Sequence, residues 1–77
     1  MKLTIVSPEK ILYNGHALSV TVPGSKGQFE VLDNHAPIIS SLQSGQLTYK
    51  DKEEIQIDIK GGFINVANNE VAVCVEV

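Results

Sequence analysis

The 77-residue chain has no arginine, no tryptophan, one cysteine, one methionine and three prolines. Each shortage closes off a class of function. Without arginine the chain lacks the planar, forked donor that grips phosphates and carboxylates two bonds at a time. Its six lysines are scattered among nine acidic residues, for a net charge of −3, and no basic run occurs. That balance argues against nucleic-acid binding, which rests on cationic contacts to the phosphate backbone, and against adhesion to an anionic lipid surface. The lone Cys74 permits no internal disulfide, which suits a reducing compartment. Long apolar runs are missing too. The longest, Val71 to Val75, is five residues, against about 20 for a membrane-spanning helix. Leu3 to Val6 is too short for the core of a signal peptide. Membrane association is therefore expected only through a partner, with no direct insertion.

What the chain does have is β-branched residues. Nine valines, eight isoleucines and three threonines favour pleated, half-buried surfaces. Apolar residues make up 43%, the share of a folded domain rather than a disordered tail. The length predicts a single domain, residues 1–77, burying only about 60% of its unfolded surface, too little for a deep pocket around a large cofactor. Apolar and polar residues alternate with period two at Leu3/Ile5, Leu18/Val20/Val22, Leu47/Tyr49, Ile55/Ile57/Ile59 and Val71/Val73/Val75. Turn signals fall between these runs: Asn14-Gly15, the loop Pro23 to Gly27, Asp51-Lys52, Gly61-Gly62 and Asn68-Asn69. The pattern predicts an all-β fold, a small antiparallel β-sandwich of about eight to ten short strands. No segment has a convincing helical period. Residues 38–42 are too short for a helix, and Pro37 forces Ala36 into an extended conformation. If 38–42 is extended, one of Ile38 and Ile39 must face outward.

Chemistry-bearing residues are sparse. Asp33 and His35 offer two metal ligands where a zinc site needs three or four. His16 lies in a different turn, and Cys74, inside an apolar strand, reads as a small core residue. Ser40 and Ser41 stand near His35, but no strained elbow surrounds them and no third group holds the base. A small hydrolase built on His35 and a serine is thus a distant reading. Glu53 and Glu54 follow a turn and belong to solvent, not to a buried general acid. The glycines of PGSKG and KGGF lack the lysine and helix of a phosphate loop. Lys52, beside Asp51 at a hairpin tip, resembles the modified lysine of lipoyl- or biotinyl-type carrier domains, although the flanking methionines and internal symmetry of those domains are missing.

One stretch breaks the alternation. Residues 20–47 read VTVPGSKGQFEVLDNHAPIISSLQSGQL. A glycine turn with Gly27-Gln28-Phe29, a two-residue turn at Asp33-Asn34, then His35-Ala36-Pro37-Ile38-Ile39 and a later Gly45 follow in order. Upstream, VSPEKILYNG opens the chain's first hairpin, and downstream Lys60-Gly61-Gly62-Phe63 precedes Asn65-Val66. This ordered set resembles the N-terminal domain of the epsilon subunit of bacterial F-type ATP synthase, called delta in mitochondria. The likeness covers nearly the whole chain. Glu30 stands where that family often has glycine, and Asp33-Asn34 replaces a frequent Pro-Gly.

The resemblance implies a non-catalytic adaptor in the central stalk, the rotor of a proton-translocating ATP synthase, with no cofactor and no small-molecule substrate. It implies a peripheral place at the cytoplasmic face of the inner membrane. By position, His35, Ala36, Pro37 and Ser40 would face the gamma subunit, and Ser25, Lys26, Gly27 and Gln28 would approach the polar loops of the c-ring. Relatives continue into a pair of C-terminal helices that can inhibit ATP hydrolysis and in some bind ATP. Residues 1–77 end with the last predicted strand, so they are expected to couple the rotor without that inhibition and to leave ATP unbound.

Overall fold

The computed structural model describes residues 1–77 and contains nine strands and no helix. They are β1 (Lys2–Val6), β2 (Ile11–His16), β3 (Ser19–Gly24), β4 (Gly27–Leu32), β5 (Ile38–Leu42), β6 (Gly45–Lys50), β7 (Glu54–Ile59), β8 (Gly61–Ala67) and β9 (Glu70–Glu76). Alternation of apolar and polar residues buries one side of most strands, although in the expected Ile55/Ile57/Ile59 run only Ile59 is buried and Ile55 is exposed. Leu3 and Ile5, Val20 and Val22, Leu47 and Tyr49, Ile64 and Val66, and Val71, Val73 and Val75 all point inward and are buried, and no polar or charged side chain is buried with them. A strand with every second residue apolar gains free energy only if those residues share one dry side, so the sheet must fold over on itself.

It does so as one continuous sheet in two layers. The first runs β2-β1-β9-β8-β5, the second β4-β3-β6-β7, and a single bridge between Gly24 and Leu42 joins β3 to β5. Pairing is antiparallel throughout except where β1 lies parallel to β9, Leu3 opposite Val71 and Ile5 opposite Val73. The first and last strands thus sit side by side in the middle of the first layer.

Several turn assignments change. Asn14-Gly15 is no hairpin tip. Both residues lie inside β2, opposite Thr4 and Leu3, and the reversal falls earlier, where the Ser7 amide donates to the Lys10 carbonyl at 2.9 Å. The glycine serves a side chain instead. A Cβ at Gly15 would lie 3.0 Å from the Tyr13 hydroxyl, which donates to the His16 carbonyl at 2.7 Å, while the Tyr13 ring packs on Tyr49 at 4.4 Å between centroids. Of the loop expected from Pro23 to Gly27, only Ser25-Lys26 is turn, the rest being strand. Gly61-Gly62 is a corner rather than a reversal, since β7 pairs with β6 and β8 with β5 and β9. Asn68-Asn69 does turn the chain back, both residues at positive φ, the conformation that asparagine tolerates. Leu18 precedes β3 and is half exposed rather than sharing the Val20 face.

Candidate docking surface

The irregular DNHAPIISS stretch is a tied-down connection followed by a strand. The Asp33 carboxylate accepts from the Met1 ammonium at 2.6 Å. That hydrogen bond holds the Asp33 carboxyl below its ordinary value, against a smaller desolvation effect in the other direction. Asn34, at φ 62, donates its amide to the Asn69 side chain at 2.8 Å. The His35 amide donates to the Leu32 carbonyl at 3.2 Å, and its ring Nδ1–H donates to the Ala36 carbonyl at 2.7 Å. The first half of the connection is therefore held by other elements, and the His35 ring braces the Ala36 end from within. His35 is half-buried, and Ala36 and Pro37 are exposed.

The polar side chains weighed above are engaged as follows. Asp33 and His35 each face a different partner and do not converge. The Ser40 hydroxyl donates to the Ser41 carbonyl at 3.0 Å rather than addressing His35. Lys52 is exposed in the bend between β6 and β7, as expected of a solvated lysine. His16 lies at the end of β2, its Nδ1–H donating to Asp51 at 3.0 Å.

The hairpin joining β3 to β4 ends beside β5. Its tip is pinned there by Ser25 N–H to the Ser41 carbonyl at 3.0 Å, Gln43 N–H to the Pro23 carbonyl at 2.9 Å, and a hydroxyl contact of 2.7 Å between Ser25 and Ser41. Gly24 and Gly27 make the tip possible. A Cβ at Gly24 would sit 2.7 Å from the Gly27 carbonyl and 2.8 Å from the Phe29 ring, and Gly27 has φ +127. Between tip and strand runs a groove of about 590 Å³ whose walls include Lys26, Gln28, Phe29, Ile38, Ile39 and Ser40. Two sets of residues singled out separately in the sequence thus meet. Ser25, Lys26, Gly27 and Gln28 share this groove with Ser40, whereas His35, Ala36 and Pro37 lie just before it.

Ile39, 78% exposed, is the outward isoleucine that the extended reading requires. Near it lies an apolar strip that sequence reasoning missed. On the outer side of the first layer, Val6, Cys74, Phe63 and Ser41 align across four strands by register. Phe63 is 58% exposed, and a shallow groove of about 360 Å³ opens among Val6, Pro8, Phe63 and Cys74. Cys74 is exposed rather than a core residue. The signal was present in the parity. Once Ile64, Val66, Val73 and Val75 point inward, Phe63 and Cys74 must point out. The outer side of the second layer is different, with Thr21 beside Thr48 and Thr48 beside Gln56, and Gln46 donating to Asp58 at 3.4 Å. The outer side of the first layer thus carries an apolar strip beside polar residues, Lys2, Thr4, Asn65 and Glu70 among them, while the outer side of the second layer is wet. A contiguous apolar patch on one face of a small fold marks an interaction surface.

Known proteins share this fold. The model of the ATP synthase delta/epsilon chain β-sandwich domain matches residues 1–77. The ATP synthase epsilon chain of Chlorobium limicola is 39% identical over 77 residues, covering 97% of this chain and 88% of its own. That of Leptospira borgpetersenii is 43% identical over 74 residues, and the match spans 95% of this chain but only 58% of the relative. Among solved structures, a chain in the central stalk and c-ring of Tetrahymena thermophila mitochondrial ATP synthase superposes with a TM-score of 0.88 at 18% identity, over all of this chain and 63% of that one. A chain of the Euglena gracilis mitochondrial enzyme gives 0.89 at 22% identity, over 95% of this chain and 48% of that one. At such identities the superpositions establish the fold, and the full-length family match and the Chlorobium relative establish the lineage: this chain belongs to the ATP synthase delta/epsilon chain β-sandwich family.

Proposed function

We propose that the chain is a non-catalytic rotor subunit of a proton-translocating F-type ATP synthase, joining the gamma subunit to the c-ring and helping to couple proton flow to ATP synthesis. The observation that carries this reading is the exposed apolar strip of Phe63 and Cys74, with the exposed Ile39 nearby, in a chain of this family. An exposed patch of that kind is costly in water and is relieved by a partner. In this reading His35, Ala36, Pro37 and Ser40 border the gamma contact, and Ser25, Lys26, Gly27 and Gln28 approach the polar loops of the ring. The work site is the cytoplasmic face of the inner membrane, reached through partners, with no cofactor and no substrate of its own.

The physical logic is mechanical. A folded-over sheet held by 47 backbone hydrogen bonds resists shear, so it can transmit torque while making and breaking no covalent bond. The His35 connection is already ordered, which lowers the entropy lost on docking. A carrier role at Lys52 gains no support from a family match of this kind. The test is affinity purification of the tagged chain from a native membrane extract. Gamma and the ring subunit are expected to co-purify, and their consistent absence would overturn the reading.

A further inference from the structure

The layers leave four strand edges: β2 and β5 in the first, β4 and β7 in the second. An open edge presents unpaired amides and carbonyls to any extended chain, and folded proteins guard such edges with charge, bulges or cover. Three of these edges are guarded. β7 carries Glu54 and Asp58, β4 carries Glu30, and the pairing of β2 with β1 is broken by a register shift between Ile5 and Val6. β5 reads Ile38-Ile39-Ser40-Ser41-Leu42, with no charge and no irregularity.

The geometry of β5 says what would cover it. On one side it pairs with β8 over its full length. On the other it meets β3 only at Leu42, because β3 turns back at Ser25-Lys26. The Ser41 carbonyl and the Gln43 amide point to that second side, where they bond Ser25 and Pro23. Backbone groups alternate sides along a strand. The amide and carbonyl of Ile39 therefore also point to that side, where no strand neighbours them. The complement of such a pair is another extended backbone. The groove at this edge is walled by Ile38, Ile39 and Phe29, and Lys26 is its only charged residue, in a chain whose net charge is −3.

We infer that the Ile39 side of this groove takes a short extended segment of the gamma subunit, which pairs main chain to main chain with Ile39, in line with β3. This is strand addition at a sheet edge, where main-chain bonds hold the segment and flanking pockets select it. The inference rests on the rotor reading, because gamma is the partner with which it is tested.

The experiment follows amide hydrogen exchange in the purified chain, alone and in complex with the gamma subunit of the same synthase. Exchange at Ile39 is expected to slow about tenfold or more in the complex, equivalent to about 1.4 kcal/mol. In parallel, Ile39→Pro removes only an amide that faces away from β8, so pairing with β8 and the unfolding midpoint should survive while gamma binding falls about tenfold or more. Ile39→Thr keeps the amide and should bind more tightly than Ile39→Pro. A complex in which the Ile39 amide exchanges as fast as in the free chain overturns strand addition and leaves the rotor reading intact. Failure of the unaltered chain to bind gamma overturns both.

Discussion

Adjacent glycines at the corner before β8 do unequal work. Gly62 has φ +146, and a Cβ there would collide with the Cys74 carbonyl on the neighbouring strand. A Cβ on Gly61 would meet nothing nearer than the Leu42 carbonyl oxygen at 3.6 Å, an ordinary contact. Both the strained backbone and the clash oppose any side chain at Gly62. Gly62→Ala should therefore cost about 2 kcal/mol or more, and Gly61→Ala should stay within about 0.5 kcal/mol of the parent. Urea unfolding of the two variants side by side checks this, and equal losses would show that the corner has been misread. In the sequence the pair is a single turn signal. Only the strand lying across from it reveals which glycine is indispensable.

A strand divides its residues between two environments, and β8 does so most sharply. Ile64 is fully buried, whereas Phe63 beside it is 58% exposed in the apolar strip of the outer side. Ile64→Ala removes core contacts and leaves a cavity, so it should destabilise the chain by about 2–5 kcal/mol. Phe63→Ala removes little that the isolated chain uses and should change its stability by about 0.5 kcal/mol or less, while weakening capture of gamma. Thermal unfolding paired with co-purification separates the two effects. If Phe63→Ala captured gamma as well as the parent does, the outer face of the first layer would lose its assigned role. At this scale much of the fold was legible. The period-two runs located β1, β3, β6, β7 and β9 and most of their inward residues, with Leu18 and Ile55 exposed instead, and the same parity applied to β8 and β9 points to Phe63 and Cys74. The edge of β5 was not legible, because a strand's own sequence does not say which neighbours it will have.

Across the whole molecule, charge plays a small and localised part. The Met1 ammonium–Asp33 ion pair and the His16–Asp51 hydrogen bond both tie the layers together. The first gives stability a pH dependence of definite sign. Asp33 binds its proton less tightly in the folded chain than in the unfolded one, because the ammonium hydrogen bond favours the carboxylate. Its contribution is present above the unfolded carboxyl value of about 3.9 and is lost as pH falls through the lower folded value. Asp33→Asn should therefore unfold at a lower temperature than the parent near pH 6, and the gap should close in strong acid. The margin should be small, since the Asp33 side chain is 54% exposed and solvent screens the pair. Unfolding midpoints of both proteins measured from pH 6 downward provide the check, and a gap that widens in acid would contradict the sign.

The sequence by itself determined the fold class, the inward face of the strands with clear alternation, the turn at Asn68-Asn69 and, through its ordered motifs, the family. All of these follow from local alternation and from residues whose backbone preferences act where they stand. Tertiary structure alone decided that Gly15 makes room for Tyr13 instead of turning the chain, that β1 and β9 run parallel, that the Ser25 tip and Ser40 wall one groove, and that Ile39 is left at an open edge. Each of these depends on which strand lies across from a residue. Partners distant in the chain become neighbours only once the sheet has folded over to bury its apolar side.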